Sequence, residues 1–275
     1  MTRLLDIDPD LFRANFARGS FPVRHGLGDH PLLTVEAVAD LADALPEASV
    51  EHNTGKVAAV VGDAPVERVD QTPGEIARGI ETNGCWMVLK NIEQIPAYHA
   101  LLDELLDEVM PYVSGNEGGM NLREGYVFLT APHSTTPAHT DHEHNFLLQV
   151  RSEKHFHVGT FRDPQVHQRQ IEKMYAGARN LDQLPDDPQL YDLHPGDGLY
   201  VAPCAPHWVE TLDQVSVSLS ITFRTPVTER ASQVHAINRH LRRLRIAPLA
   251  PGKSPGRDRA KVGAFRTLQR VRSGA

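Results

Sequence analysis

The chain has 275 residues, 40% hydrophobic and 6% aromatic, with 35 acids against 28 Lys and Arg for a formal charge of -7. That length buries a full core without division into independent domains, and no apolar run approaches the ~20 residues of a membrane-spanning helix. The opening MTRLLDIDPDLFRANF carries acids where a secretion signal needs its apolar centre, and two cysteines are too few for a disulfide framework; a cytoplasmic protein is expected, with Cys85 and Cys204 as buried or idle thiols.

Residues 1–84 read as a mixed lead to the single domain 1–275. Thr34 can cap a helix running through Leu45, and Thr72-Pro73-Gly74-Glu75 offers a cap, a first-turn proline and an acid, with Gly84 as the following stop signal. Residues 85–225 hold the expected core. CWMVLK at 85–90 is its first strand, and Pro96 opens an amphipathic helix with Leu101, Leu102, Leu105, Leu106 and Val109. From Tyr126 to Phe223 short strands dominate. A polar insert at 163–187 interrupts them, helical around Ile171 to Tyr175 and placed to act as a lid or substrate loop. Gly196 to Pro203 is a turn feeding an apolar strand, and a Pro-flanked loop then presents His207. In VSVSLSITF (215–223), Ser216, Ser218, Ser220 and Thr222 alternate with Val217, Leu219, Ile221 and Phe223. If another layer covers the apolar side, the hydroxyl side lines a pocket.

Residues 226–275 form a basic helical segment. From Arg239 onward eleven Lys or Arg face one acid, Asp258, so this stretch carries +10 and the rest of the chain -17. Arg242, Arg243, Arg245, Arg266, Arg270 and Arg272 would contact a polyanion. Val234, Ile237, Leu241 and Leu244 recur at helical spacing, as do Val262, Phe265, Leu268 and Val271, on either side of a linker at 247–258. These stripes favour packing on the acidic body, or on a second copy in a homodimer, over nucleic-acid binding.

The chemistry concentrates in PAHTDHEHNF (137–146) and APHWVE (205–210). On a strand, residues two apart share a side, so His139 and Asp141 can grip one ion while Thr140 faces away, and His207 arrives from a distant segment. Two imidazoles and one carboxylate hold one face of a ferrous ion and leave positions open. Lys154 shares its strand face with Phe156 and Val158, an apolar setting in which an ammonium needs an anionic partner. His155 and His157 lie on the other face. His142 and His144 have the opposite parity to His139 and read as outer or solvent-facing groups.

The run TPAHTDHEHNFLLQVRSEKHF, with GDGLYVAPCAPHWVE and SVSLSITF, resembles the cupin-like branch of the Jumonji-C family, and within it the asparaginyl-hydroxylase-like subgroup. The resemblance implies a mainly β fold with flanking helices around a double-stranded β-helix (jelly roll), and an Fe(II)- and 2-oxoglutarate-dependent oxygenase. In that likeness His139, Asp141 and His207 match the metal ligands. Lys154 matches the lysine that meets the distal carboxylate of 2-oxoglutarate, and Thr136 a hydroxyl on the same group. Asn145 and Gln149 fall at polar pocket positions. The final-strand asparagine of the family is missing; Ser218, Ser220 and Thr222 are the nearest candidates for its contact. The implied reaction hydroxylates a C–H bond of a peptide, protein or small-molecule substrate, releasing succinate and carbon dioxide, with Trp208, Tyr126 and Arg123 as candidate wall residues. Three other readings stay open: a cupin-type metalloenzyme without 2-oxoglutarate, a non-catalytic regulator that binds nucleic acid through the basic tail, and a zinc hydrolase built on His142, His144 and Glu143.

Overall fold

Two facing antiparallel sheets account for the alternating strands in the computed structural model, which describes residues 3–54, 57–60 and 71–273. The lead supplies β1 (Leu5–Asp6), α1 (Pro9–Asn15), β2 (Phe21–His25), α2 (Val35–Ala44), β3 (Val50–Thr54), α3 (Pro73–Arg78) and α4 (Ile80–Asn83). The expected caps are present. Thr34 Oγ1 accepts the Ala37 N–H, Thr72 and Glu75 form a reciprocal capping box, and Gly84 closes α4 at φ 66°.

Next come β4 (Cys85–Lys90) and α5 (Pro96–Glu117), which extends beyond the predicted leucine stripe through Pro111. The strand-rich region contains β5 (Asn121–Thr130), β6 (Thr135–His139), β7 (His144–Arg151) and β8 (Lys154–Thr160). After α6 (Pro164–Met174) follow β9 (Asp186–Leu193), β10 (Asp197–Val201), β11 (His207–Thr211) and β12 (Ser216–Arg224). Thus the helix of the insert begins at its first proline, one residue past the Asp163 cap, well before Ile171.

The larger sheet has eight strands in the order β1-β2-β10-β7-β12-β5-β4-β3, and the smaller has four, β6-β11-β8-β9. One face of the larger sheet buries Met87, Leu89, Val127, Leu129, Phe146, Leu148, Val217, Leu219, Ile221 and Phe223 against the helical layer. Its other face looks at the smaller sheet. There Leu147, Leu199 and Val201 meet Phe156, Leu193 and Val209 in a second apolar cluster. Buried on both sides, β12 turns its hydroxyls into the space between the sheets, as the alternation suggests. At Gly198, between β2 and β7, an added Cβ would stand 2.8 Å from Val23 Cγ2 and 3.0 Å from the Leu147 carbonyl, so the close strand approach needs glycine.

The basic segment folds as α7 (Pro226–Arg243) and α8 (Pro255–Ser273), the latter starting inside the predicted linker. Val234 and Ile237 are buried, whereas Leu244, beyond the end of α7, is 71% exposed. On α8 the stripe fades: Val262 and Phe265 are half-buried, and Leu268 and Val271 are exposed. The Arg272 side chain lies outside the described residues. Among those described, no helix is long and apolar enough to cross a membrane.

Candidate metal centre

β6 and β11 pair so that His139 stands opposite His207, while Thr136 stands opposite Val209. Two residues of β6, Pro137 and Ala138, therefore oppose Trp208 alone. This is a β-bulge, and a proline suits it because it has no N–H to leave unpaired. The extra residue resets the alternation. Thr136 and His139 are three apart and would face opposite sides of a regular strand, yet the bulge turns both toward the space between the sheets. The Ala138 side chain is sent outward, where it packs with Trp208, Phe161 and Leu181. The strand ends at His139, so Asp141 reaches the site from the following loop rather than from a continuous strand, and Thr140 turns away to donate to Met174 Sδ.

His139, Asp141 and His207 bring one ligand atom each within 4.8 Å of one another, and among the described residues they are the only His/Cys/Asp/Glu group so arranged. Asp141 Oδ2 lies 3.6 Å from His139 Nε2 and 3.5 Å from His207 Nε2. Each ring has its other nitrogen tied back to a nearby carbonyl: His139 Nδ1 to Pro137 at 2.7 Å and His207 Nδ1 to Ala205 at 2.9 Å. A carbonyl accepts only, so Nδ1 carries the proton and Nε2 keeps its lone pair for an ion. Burial, reinforced by the neighbouring His139, pushes the His207 imidazole down to about 4, which keeps it neutral and ready to donate. Withdrawal from water disfavours the Asp141 carboxylate, but His139 and then His207 outweigh it and hold Asp141 well below the usual range. The set offers two neutral nitrogens and one anionic oxygen on one side of an ion, a donor set that fits ferrous iron and leaves the opposite side open.

Lys154 opens β8 on the inner face and is 3% exposed. Its Nζ donates to Ser218 Oγ at 2.6 Å and lies 5.7 Å from the centre of the Phe128 ring, with no ion pair among the described residues. Burial alone lowers its pKa to about 7. Nearby, Thr136 Oγ1 accepts the Trp86 indole N–H at 2.9 Å, so the hydroxyl still has its own proton to give. Ser220 Oγ donates to Asn145 Oδ1 at 2.6 Å. A buried cation with only a neutral partner fits an anionic ligand such as a dicarboxylate.

Several expected positions are corrected by the register. His144 is not solvent-facing: it is fully buried on the core side of β7, stacked between Phe16 and Phe223 and bonded to Tyr200 Oη and Glu117. His142 sits beside Glu143 at 2.8 Å, and Glu143 also accepts from Arg224. The two histidines diverge to opposite surroundings, which removes the zinc arrangement. Trp208 is no pocket wall, since it stacks on His157 on the outer face of the smaller sheet. Arg123 is tied to Asp103 and Asp107 of α5, away from the pocket. Tyr126 does face inward, in register with Ser220; burial, with Glu124, Glu143 and Asp141 nearby, raises its pKa. The sequence reading missed Trp86 and Phe128. Both share the inner face with Tyr126 through the β4–β5 register, and the alternation of CWMVLK carried that signal.

The insert roofs the metal loop. Tyr175, which ends α6, meets His142 edge-on at 5.6 Å and stacks on His235 of α7 at 5.4 Å. Arg242 of α7 clasps the buried Glu172 at 2.9 Å. Cys204, at φ 63°, donates its N–H to the Asp141 carbonyl at 2.6 Å, so the loop before His207 braces the loop after His139.

Residues 103–231 match the family model described as the JmjC domain. In fold the chain is similar to the X-ray structure of YcfD from Escherichia coli, with TM-score 0.53 and 17% identity over 98% of this chain and 69% of that one. It is similar also to YcfD, described as a ribosomal oxygenase, in complex with cobalt and 2-oxoglutarate (TM-score 0.53, 16% identity, 98% and 68% covered). The complex of YcfD with cobalt and succinic acid aligns at TM-score 0.51 and 17% identity, again over 98% and 68%. No curated protein matches the sequence. The two sheets are the jelly roll of a double-stranded β-helix, with helices flanking it.

Proposed function

We propose that this JmjC-domain chain is an iron(II)- and 2-oxoglutarate-dependent oxygenase that hydroxylates a peptide, protein or amino-acid-like substrate, with release of succinate and carbon dioxide. One arrangement carries the reading: a converging pair of imidazoles and a carboxylate and, further along the β8–β11 ladder, a buried lysine that no acid neutralises among the described residues. The first suits a ferrous ion, and the second suits the far carboxylate of a keto diacid. When bound, iron and keto acid together supply the oxidising power for an unactivated C–H bond.

The chain's own part is placement. Pro137 and Ala205 carbonyls hold the two imidazoles in the tautomer that aims Nε2 at the ion. Lys154 and Thr136 hold the diacid, with Asn145 and the β12 hydroxyls setting the polarity of the pocket floor. Tyr126 adds to the inner wall and α6, whose Tyr175 meets His142, covers the loop that carries Asp141, while the half-exposed edge of Asp141 would be left for the substrate. The description of the E. coli neighbour as a ribosomal oxygenase supports a protein side chain as substrate.

A succinate-release assay with iron(II), 2-oxoglutarate and a panel of peptides and amino acids tests the reading. Wild type is expected to form succinate, and Asp141→Ala to fall to background; an Asp141→Ala enzyme that keeps the wild-type rate overturns the assignment. Full substrate oxidation by a Lys154→Met variant without 2-oxoglutarate would transfer the reading to a metalloenzyme that binds its substrate directly.

A further inference from the structure

Behind Lys154 the pocket ends in a chain of neutral side chains. Gln149 is fully buried on β7, and the two N–H groups of its amide are shared among the carbonyls of Arg151 at 2.7 Å and Ser152 at 2.8 Å and Ser216 Oγ at 2.9 Å. Two carbonyl acceptors fix which end of the amide is nitrogen. Gln149 Oε1 is thereby left to accept, and it takes the Ser218 Oγ–H at 2.9 Å. A hydroxyl has one proton, so a Ser218 that donates to Gln149 must turn a lone pair to the Lys154 Nζ, 2.6 Å away. The elements packed around Lys154 otherwise bring Leu193, Thr211 and Phe128 to it, none of which is charged.

We propose that Gln149 is a positioning residue for the keto-acid pocket: acting through Ser218, it fixes the Lys154 ammonium with neutral acceptors alone and so reserves the remaining N–H donors for an incoming carboxylate. The inference rests on the reading that Lys154 meets 2-oxoglutarate. It also assigns Ser218 a role different from that of a direct ligand. A carboxylate in the place of Gln149 would neutralise the lysine in advance and compete with the diacid. A serine without Gln149 would be free to rotate its proton toward the ammonium and repel it.

The test is anaerobic calorimetry of 2-oxoglutarate binding to the full chain loaded with Mn(II), at several pH values. Gln149→Glu is expected to weaken binding by at least about tenfold and to move the pH at which affinity falls upward, because the lysine stays charged longer. Ser218→Ala is expected to weaken binding as well but to move that pH downward, since the ammonium loses its acceptor. Opposite displacements are a signature that loosened packing does not produce. Mn(II) affinity should be unchanged in both. Wild-type affinity and pH profile in Ser218→Ala overturn the proposal, and that variant decides alone should Gln149→Glu fail to fold. Lys154→Met separates the two readings. If it binds 2-oxoglutarate like wild type, the anchoring role of Lys154 fails and the relay with it; if only Lys154→Met binds poorly, the relay alone fails.

Discussion

Buried among Phe128, Leu193 and Thr211, Lys154 has its pKa lowered by desolvation to about 7, so near neutrality the empty pocket holds a mixture of ammonium and amine. A dicarboxylate favours the ammonium. Binding of 2-oxoglutarate should therefore take up a proton above pH 7, and its affinity should fall by up to about tenfold per pH unit there while staying level below. Calorimetry in two buffers of different ionisation heat reads the proton directly; no uptake at pH 8 would contradict the assignment. For the fold the sign is the reverse of a salt-bridged lysine, because stability rises with pH between the lowered value and the ordinary lysine range. Lys154 was legible in the sequence because it shared a face with Phe156 and Val158. His144 was not, since parity says which side of a strand a residue takes but not whether that side meets water or a second layer. Here it meets α1 through Phe16.

α6 shows how an element looks mobile in sequence and is fastened in space. The polarity of residues 163–187 suggests a lid, and α6 does lie over the metal loop. Yet Glu172 on its inner side is 5% exposed at the side chain and held by Arg242, whose partnership no local pattern could reveal across 70 positions. Burial raises the Glu172 pKa and Arg242 opposes that rise. Arg242→Ala should cost on the order of 3 kcal/mol by leaving a buried carboxylate unpaired, lowering Tm by roughly 5–10 °C. The loss should be larger at pH 8 than at pH 5, where the stranded glutamate takes up a proton. Thermal melts at both pH values check this, and Arg242→Lys should recover part of the difference. An equal loss at both would mean that Arg242 acts through its packing alone.

At the scale of the whole molecule, the basic end is joined to the acidic body through Arg242, Val234 and Ile237, as the helical spacing suggested, while the outer part of α8 keeps its apolar stripe exposed. Strand order was the part that sequence could not supply. β2, within the first 25 residues, completes the larger sheet beside β10, with Arg24 opposite Asp197. Pairing across so long a separation is decided by closure of the sheet and leaves no local trace. The bulge at Pro137 and Ala138 shows the same division. The candidate residues were readable, but the extra residue that puts Thr136 and His139, three apart, on one side of the strand was not, although Pro137 marked where it lies. A chain lacking Ala138 would set Thr136 and His139 two apart on a regular strand, still on one side, so it should keep its Mn(II) by elemental analysis but melt at a lower temperature for want of the Ala138 contacts with Trp208, Phe161 and Leu181; loss of Mn(II) would mean that the bulge itself aims the imidazole. Across homologous sequences a one-residue gap at this point should therefore go with a changed neighbour for Trp208, since what the extra residue adds is a buried contact on the outer face of the smaller sheet.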